Sequence, residues 1–178
     1  RTLERCRSLF KASDTVLEIG CGTGTTALQL APSVARMVGS DVSNAMVAIA
    51  REKCIARGCP NAEFSVATAE LGPGLEGSYD AVLAFNLLHL IADRPTTFAR
   101  VHRLLKPGGL FISKTPCLSE MNPLFRVAVP IMRLVGKAPF VSFFSAAAIE
   151  AEIAGAGFTI EAREWHGSGR KDARIFLV

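Results

Sequence analysis

Residues 16–24, Val16-Leu17-Glu18-Ile19-Gly20-Cys21-Gly22-Thr23-Gly24, constrain this chain more than any other stretch. Residues suited to a buried strand run into glycines spaced two apart, and a helical pattern follows from Thr25 to Ala31. A glycine in such a turn takes positive φ without strain, and its missing side chain lets a ligand lie against bare backbone. The helix start beyond it carries free N–H groups, which attract negative or electron-rich atoms. Strand, glycine turn and helix in that order is how an open α/β sheet binds a nucleotide-like ligand.

The spacing narrows the ligand. A dinucleotide site calls for Gly-x-Gly-x-x-Gly, and counted from Gly20 its third glycine would fall at Thr25. Here that glycine comes one residue early, at Gly24, and an acid, Glu18, stands two residues before the first. The stretch resembles the first motif of class I S-adenosylmethionine-dependent methyltransferases, (Asp/Glu)-x-Gly-x-Gly-x-Gly. The resemblance implies that Glu18, Gly20, Cys21, Gly22 and Gly24 bind the cofactor S-adenosylmethionine, with the loop around its methionine part.

The neighbouring chain follows the same plan. Residues 1–12 place Leu3, Cys6, Leu9 and Phe10 on one helical face, which predicts a covering helix. Residues 15–19 and 36–41 read as the first two strands, the second ending in Asp41. A carboxylate there can accept hydrogen bonds from both hydroxyls of a ribose. The plainer reading is a cap for the helix that follows, a post that Ser43 could hold equally well. That helix runs to about Arg57, ended by Gly58 and Pro60, and residues 62–66 alternate as a third strand. The resemblance adds Val42 and Met46 to the cofactor contacts. It also implies contacts at Thr68, Ala69 and Glu70, where the family usually has Asp-Ala-Glu. Thr68 replaces the aspartate that would take the adenine amino group, and its hydroxyl can still accept one hydrogen bond.

Residues 78–86 look like the family's fourth strand, with its (Phe/Tyr)-Asp-x-(Val/Ile) opening at Tyr79 and Asp80. A helix from Asp93 to Leu105, a tight turn at 106–109 and a fifth strand at 110–113 come next. The resemblance therefore runs from 16 to 113 in order, and the chain is identified as a member of that family. The implied fold is α/β: a single Rossmann-like three-layer sandwich over 1–178, with a seven-stranded, mostly parallel sheet. Its last strand is antiparallel, the final pair being drawn from 157–162 and 173–178. Asn86, at the end of the fourth strand, is expected to line the methyl side of the cofactor pocket. His89 is a weak candidate for a general base and reads more simply as a hydrogen-bonded structural histidine. Glu120 and His166 are the other candidate proton acceptors.

Residues 114–145 are expected to form a substrate-side insertion or lid. From Met121 to Ile149 the charges are all basic, Arg126, Arg133 and Lys137, and Pro130 should kink any helix there. Three readings stay open: a buried helix, a mobile cover closing over an apolar acceptor, and a segment lying on a membrane surface. It is too short to span a bilayer.

With 178 residues and 20% charged, the chain suits one globular domain. The net charge of +4 is dispersed, and no basic run is interleaved with aromatics, so nucleic acid is not expected as a partner. The five cysteines are scattered without metal-binding spacing, and no signal peptide is read. Reduced thiols and a cytoplasmic setting follow, with a small-molecule methyl acceptor as partner and no metal. Two alternatives remain at this point. One is a non-catalytic cofactor-binding partner protein, and the other, less favoured, is a nicotinamide-dependent oxidoreductase.

Overall fold

Alternating apolar residues and Gly-rich breaks give the chain short strands that are buried on both faces, and such strands need helices on either side. The computed structural model describes residues 1–69, 76–121, 140–167 and 172–178. Glu70, the turn at 72–75, the apolar stretch 122–139 and the basic residues Arg170 and Lys171 lie outside the described residues. The strands are β1 (Thr15–Ile19), β2 (Arg36–Asp41), β3 (Ala62–Val66), β4 (Tyr79–Phe85), β5 (Leu105–Pro116), β6 (Arg163–Trp165) and β7 (Arg174–Leu177). The helices among the described residues are α1 (Thr2–Leu9), α2 (Thr25–Leu30), α3 (Asn44–Arg57), α4 (Arg94–Leu104) and α5 (Ala146–Gly155).

The strands form one seven-stranded sheet in the order β3-β2-β1-β4-β5-β7-β6. β1 pairs in parallel with both β2 and β4, so the winding reverses between β1 and β4. A crevice opens beyond the carboxyl ends of the strands at such a reversal. β7 is antiparallel to β5 and to β6, which makes the sheet mostly parallel, as the resemblance implies.

Strand alternation sorts the core into two layers. Leu17, Ile19, Val82 and Ala84 pack against Phe98 and Val101 of α4 and Ile149 and Ile153 of α5. Val16, Ala81 and Leu83 face the other way, onto Cys6 of α1, Leu28 of α2 and Val47 of α3. Each fully buried large apolar side chain stabilises the fold by ~1.5–3 kcal/mol.

Caps fix the helix boundaries. Ser43 caps α3 by accepting from the Met46 N–H, and the chain leaves α3 through Gly58 at φ 60°. The Gly58 and Cys59 N–H groups reach back to Ile55 and Cys54, satisfying carbonyls left over at the helix end. Asp93 caps α4 and Ser145 caps α5.

Two expectations need correcting. The Lys106–Gly109 turn lies inside β5, which starts at Leu105 and runs on to Pro116. Tyr79 faces Leu105 and Ala81 faces Leu110, so four residues of β5 bulge out opposite Asp80 alone. The Lys106 ammonium bonds both Asp80 carboxylate oxygens (2.8 and 2.9 Å), and the Thr15 N–H donates to the same group (2.8 Å). This ties the bulge to β1 across β4. The second correction concerns the strand expected at 157–162. β6 is Arg163–Trp165, while upstream only Glu161 and Ala162 bond backbone to backbone with Val178. Phe158 turns inward instead, onto the Phe111 ring (5.3 Å) and the His102 ring (5.3 Å).

No helix among the described residues is long and apolar enough to cross a membrane.

Candidate functional site

The glycine turn joins β1 to α2 at the carboxyl edge of the sheet, beside the reversal in strand order. Its three glycines are all at positive φ, between 54° and 69°, but they serve different ends. A Cβ on Gly20 would fall 2.6 Å from Leu87, and one on Gly24 would fall 2.8 Å from Phe64 and 2.9 Å from Ala50. Those two let the loop pack down onto Leu87 beyond β4, onto β3 and onto α3. A Cβ on Gly22 would meet nothing within 4 Å, so Gly22 presents bare backbone to open space.

Asp41 holds this loop in place. One of its carboxylate oxygens accepts from the Gly22 N–H and the other from the Ser43 N–H, each at 2.9 Å. Its own carbonyl accepts from Ala67 (3.1 Å), so one residue knits the loop to β2 and β3. Ser43 is the helix cap, and Asp41 is therefore left for another task. Each carboxylate oxygen has two lone pairs, so each retains one acceptor position.

Around Asp41 the edge is apolar and accessible. Val42 is 66% exposed, Met46 42% and Val66 45%. Thr68 is exposed and Ala69 half-buried at the end of β3. Cys21 is buried beneath the loop, where burial pushes its thiol up to about 12.

Glu18 sits under the loop and not in its open face, at 3% exposure. Burial pushes its carboxyl up to about 8, opposed by a hydrogen bond from the Ala27 backbone. It thereby serves α2, whose own N-cap Gly24 has no side chain to offer. The second Glu18 oxygen, Oε2, is buried without a partner.

On the far side of the crevice, Asn86 is exposed at φ 51°, among non-glycine residues the only described one at positive φ. Asparagine tolerates that conformation better than most. Its N–H donates to the Lys114 carbonyl (2.7 Å), which fixes the chain where it leaves β4. His89 follows on a short turn of 3₁₀ helix (Leu88–Leu90). Burial first, and then the charge of Arg174, depress the imidazole to about 4, so it is neutral at pH 7. Its Nδ1 is buried without a hydrogen-bond partner. The other candidate acceptors are engaged elsewhere. Glu120 accepts from the Ala146 N–H at the start of α5 (2.7 Å). His166 stacks on Phe176 at 4.3 Å and bonds Glu164 (2.9 Å) and Thr2 (3.2 Å).

Three features escaped the sequence reading. Lys53 tethers the glycine turn, its ammonium donating to Thr23 Oγ1 (2.8 Å), the Thr23 carbonyl (3.2 Å) and Thr25 Oγ1 (3.3 Å). Its position on the same helical face as Met46 and Ala50 was an available signal. Val66 follows Phe64 by two, the strand period, and is exposed at the carboxyl end of β3. The third is Arg94, whose guanidinium grips Glu152 with two bonds (2.6 and 2.8 Å), donates to Ser142 Oγ (3.0 Å) and lies 4.9 Å from the Phe144 ring centre. Ser142 in turn donates its N–H to the His89 carbonyl (2.7 Å). Arg94 and Glu152 are 58 residues apart, and nothing local announces the pair.

A family model described as a methyltransferase domain matches residues 16–109, just over half of the chain. An uncharacterised methyltransferase of Bacillus subtilis, YcgJ, is 33% identical over 127 residues, which are 67% of this chain and 50% of that one. Phosphoethanolamine N-methyltransferase 1 of Triticum aestivum is 32% identical over 64% of this chain and 23% of its own length. The demethylmenaquinone methyltransferase of Symbiobacterium thermophilum is 30% identical over 66% and 47%. The chain thus spans half or less of the length of these curated relatives. The crystal structure of YcgJ superposes with a TM-score of 0.78 at 25% identity, covering 92% of this chain and 71% of that one.

Proposed function

The chain belongs to the methyltransferase-domain family, of the S-adenosylmethionine-dependent kind, and from that premise we propose that it transfers the cofactor's methyl group to a small acceptor. The observation that carries this is the Asp41 carboxylate. It is locked onto the Gly22 and Ser43 N–H groups beside open backbone and an exposed apolar edge. Its remaining lone pairs suit ribose hydroxyls. Val42, Met46 and Val66 offer the apolar surface an adenine ring needs, with Thr68 and Ala69 at its margin. Gly20, Cys21, Gly22 and Gly24 provide the turn for the methionine part. Glu18 acts beneath them by holding α2, and Asn86 closes the methyl side. Glu70 is assigned to the same site by resemblance alone.

The bound cofactor supplies a methyl group on a sulfonium, which is already an activated leaving group. The protein's share is to align an acceptor with that group and to keep water out. Proximity and orientation of this kind are worth ~7–11 kcal/mol. No base is obligatory. Where the acceptor must lose a proton, His89 is the remaining candidate, neutral and therefore able to accept. Leu90 and Phe140, 40% and 39% exposed, flank the Ser142–His89 bond in sequence and favour an acceptor with apolar surface. The relatives' names include a phosphoethanolamine and a demethylmenaquinone methyltransferase, so within this family a polar amine and an apolar ring are both precedents. The five free cysteines suit a cytoplasmic setting.

Calorimetric titration tests the cofactor assignment. S-adenosylhomocysteine should bind, and at 100 times its dissociation constant it should add ~2.7 kcal/mol of stability, whereas NAD should do neither. Binding of NAD with none of S-adenosylhomocysteine would overturn the proposal. A screen of small apolar and amine acceptors, read as S-adenosylhomocysteine release, then tests transfer.

A further inference from the structure

The carboxyl end of α3 brings two cysteines together. Gly58 leaves the helix at φ 60°, and two N–H groups turn back on it: Gly58 donates to the Ile55 carbonyl (3.0 Å) and Cys59 to the Cys54 carbonyl (3.2 Å). These are the two bonds of a Schellman turn, in which the residues joined by the outer bond sit near enough for side-chain contact. Here both are cysteines. With ordinary bond lengths and angles, that backbone bond holds their Cα atoms within about 6.5 Å, inside the ~4.4–6.8 Å that a disulfide spans. The Cys54 Sγ lies 3.2 Å from the Cys59 carbonyl and 3.3 Å from the Ala62 carbonyl, so it already rests on the chain running into β3. The Cys59 Sγ lies 4.0 Å from the Arg57 carbonyl. Both side chains stand against the same core layer, the one shared by α1, α2 and α3.

Position separates this pair from the other three cysteines. Cys6, Cys21 and Cys117 are 0%, 8% and 0% exposed, and burial pushes their thiols up to about 12, 12 and 11. A thiol reacts as its thiolate, so those three are inert at neutral pH. Cys54 and Cys59 are only half-buried, and Cys59 stands between exposed Gly58 and Pro60. The two suit different steps of an exchange. Burial first, and then the neighbouring Cys59, push the Cys54 thiol up, which fits it to react second, on a partner already beside it. Cys59, at the surface, is placed to meet a reagent first.

We propose that Cys54 and Cys59 form a reversible thiol–disulfide site, oxidised by a small disulfide of the glutathione class. Cys59 gives its proton to solvent, and its thiolate attacks one sulfur of the reagent. One glutathione thiolate leaves, and a mixed disulfide remains on Cys59. Cys54 then loses its proton, attacks the Cys59 sulfur and expels the second glutathione. Two protein thiols are oxidised to one disulfide, the reagent's disulfide is reduced to two thiols, and the two protons end on the two glutathiones. The new bond fixes the end of α3 to the segment entering β3. Lys53, next to Cys54, holds the glycine turn through Thr23 and Thr25, so the site lies one residue from an anchor of that turn.

The test treats the whole folded chain with oxidised glutathione at millimolar concentration, alkylates the thiols that remain and digests with trypsin for mass spectrometry. Cleavage after Lys53 and Arg57 puts the two cysteines on separate peptides, so a disulfide leaves Cys54–Arg57 joined to the peptide that begins at Gly58. That joined pair should exceed any product of Cys6, Cys21 or Cys117 by about tenfold or more, and excess dithiothreitol should abolish it. Cys54→Ser should halt at glutathione on Cys59, and Cys59→Ser should slow oxidation at Cys54 by about tenfold or more. A glutathione adduct that persists on Cys59 while Cys54 stays free overturns the proposal, because Cys54 then fails to reach it. So does a mixture of pairings like the one given by the chain unfolded in urea. None of these readouts depends on methyl transfer or on cofactor binding.

Discussion

Residues 15–69 and residues 79–178 meet along the β1–β4 pair, yet the two halves anchor their ligand-facing edges by different means. In the first half nearly every polar anchor reaches backbone: Asp41 to Gly22 and Ser43, Glu18 to Ala27, and Lys53 to Thr23. In the second half long-range side-chain pairs matter more, with Arg94 on Glu152 and Ser142. An edge built on backbone geometry suits a ligand of constant shape. One built on side-chain pairs can change its lining without changing the fold.

Glu18 in the first half and His89 in the second both titrate from buried positions near the edge, and these should slope in opposite directions with pH. Glu18, raised from 4.5 to about 8, binds more protons folded than unfolded, so the stability it lends is full below pH 4.5 and is lost as pH rises toward 8. His89, lowered from 6.5 to about 4, binds fewer protons folded, so its contribution is full above pH 6.5 and lost as pH falls toward 4. The largest expected effect follows: Glu18→Gln should gain on the wild type between pH 5 and pH 8, by roughly 3–5 kcal/mol at most. Urea unfolding at several pH values measures this, and a pH-independent difference would refute the burial of a neutral Glu18.

Next in size is a contrast inside the glycine turn. Gly24→Ala should lose about 2–5 kcal/mol, since it combines left-handed strain with a clash against Phe64 and Ala50. Gly22→Ala carries only the strain, about 1–2 kcal/mol, but should obstruct the ligand. Thermal midpoints and S-adenosylhomocysteine titration on both variants separate packing from binding.

Asp41→Ala should weaken S-adenosylhomocysteine binding between tenfold and several hundredfold, at ~1.5–3 kcal/mol for each charge-assisted bond. It should also lower the thermal midpoint, because the Gly22 and Ser43 N–H groups lose their acceptor. Unchanged affinity would reduce Asp41 to a strut of the loop.

Breaking a side-chain pair tests the other half. Arg94 is 14% exposed and Glu152 37%, so Arg94→Ala should fall between a buried and a surface pair, at about 2 kcal/mol. Cofactor affinity should stay within twofold of wild type. A matching loss of S-adenosylhomocysteine binding would erase the distinction between the halves.

The same division explains what could be read from the chain alone. Residues 15–19, 36–41, 44–57 and 62–66 were expected as they stand, because glycines, caps and strand alternation act over a few residues. Glu18 was legible as an acid at the right spacing, but its place beneath the loop depends on how α2 packs. The bulge at 106–109 and the short β6 were not legible. One needs Asp80 across the sheet, and the other depends on Phe158 preferring Phe111 and His102 to a strand partner. The Lys106-Pro107-Gly108-Gly109 motif marks the family, yet it sits at the end of the sheet away from the ligand edge, as a clasp on β1 and β4.

The placing of β7 between β5 and β6 also bears on the order of assembly. As the chain is synthesised from its amino end, β1 to β5 can pair as soon as each has emerged. β6 cannot, because among the described residues its ladder is formed with β7 alone. It must wait beside an open β5 edge until the residues from Arg174 onward arrive and bridge the two. That wait makes the β5 edge the surface most open to wrong pairing while the protein folds.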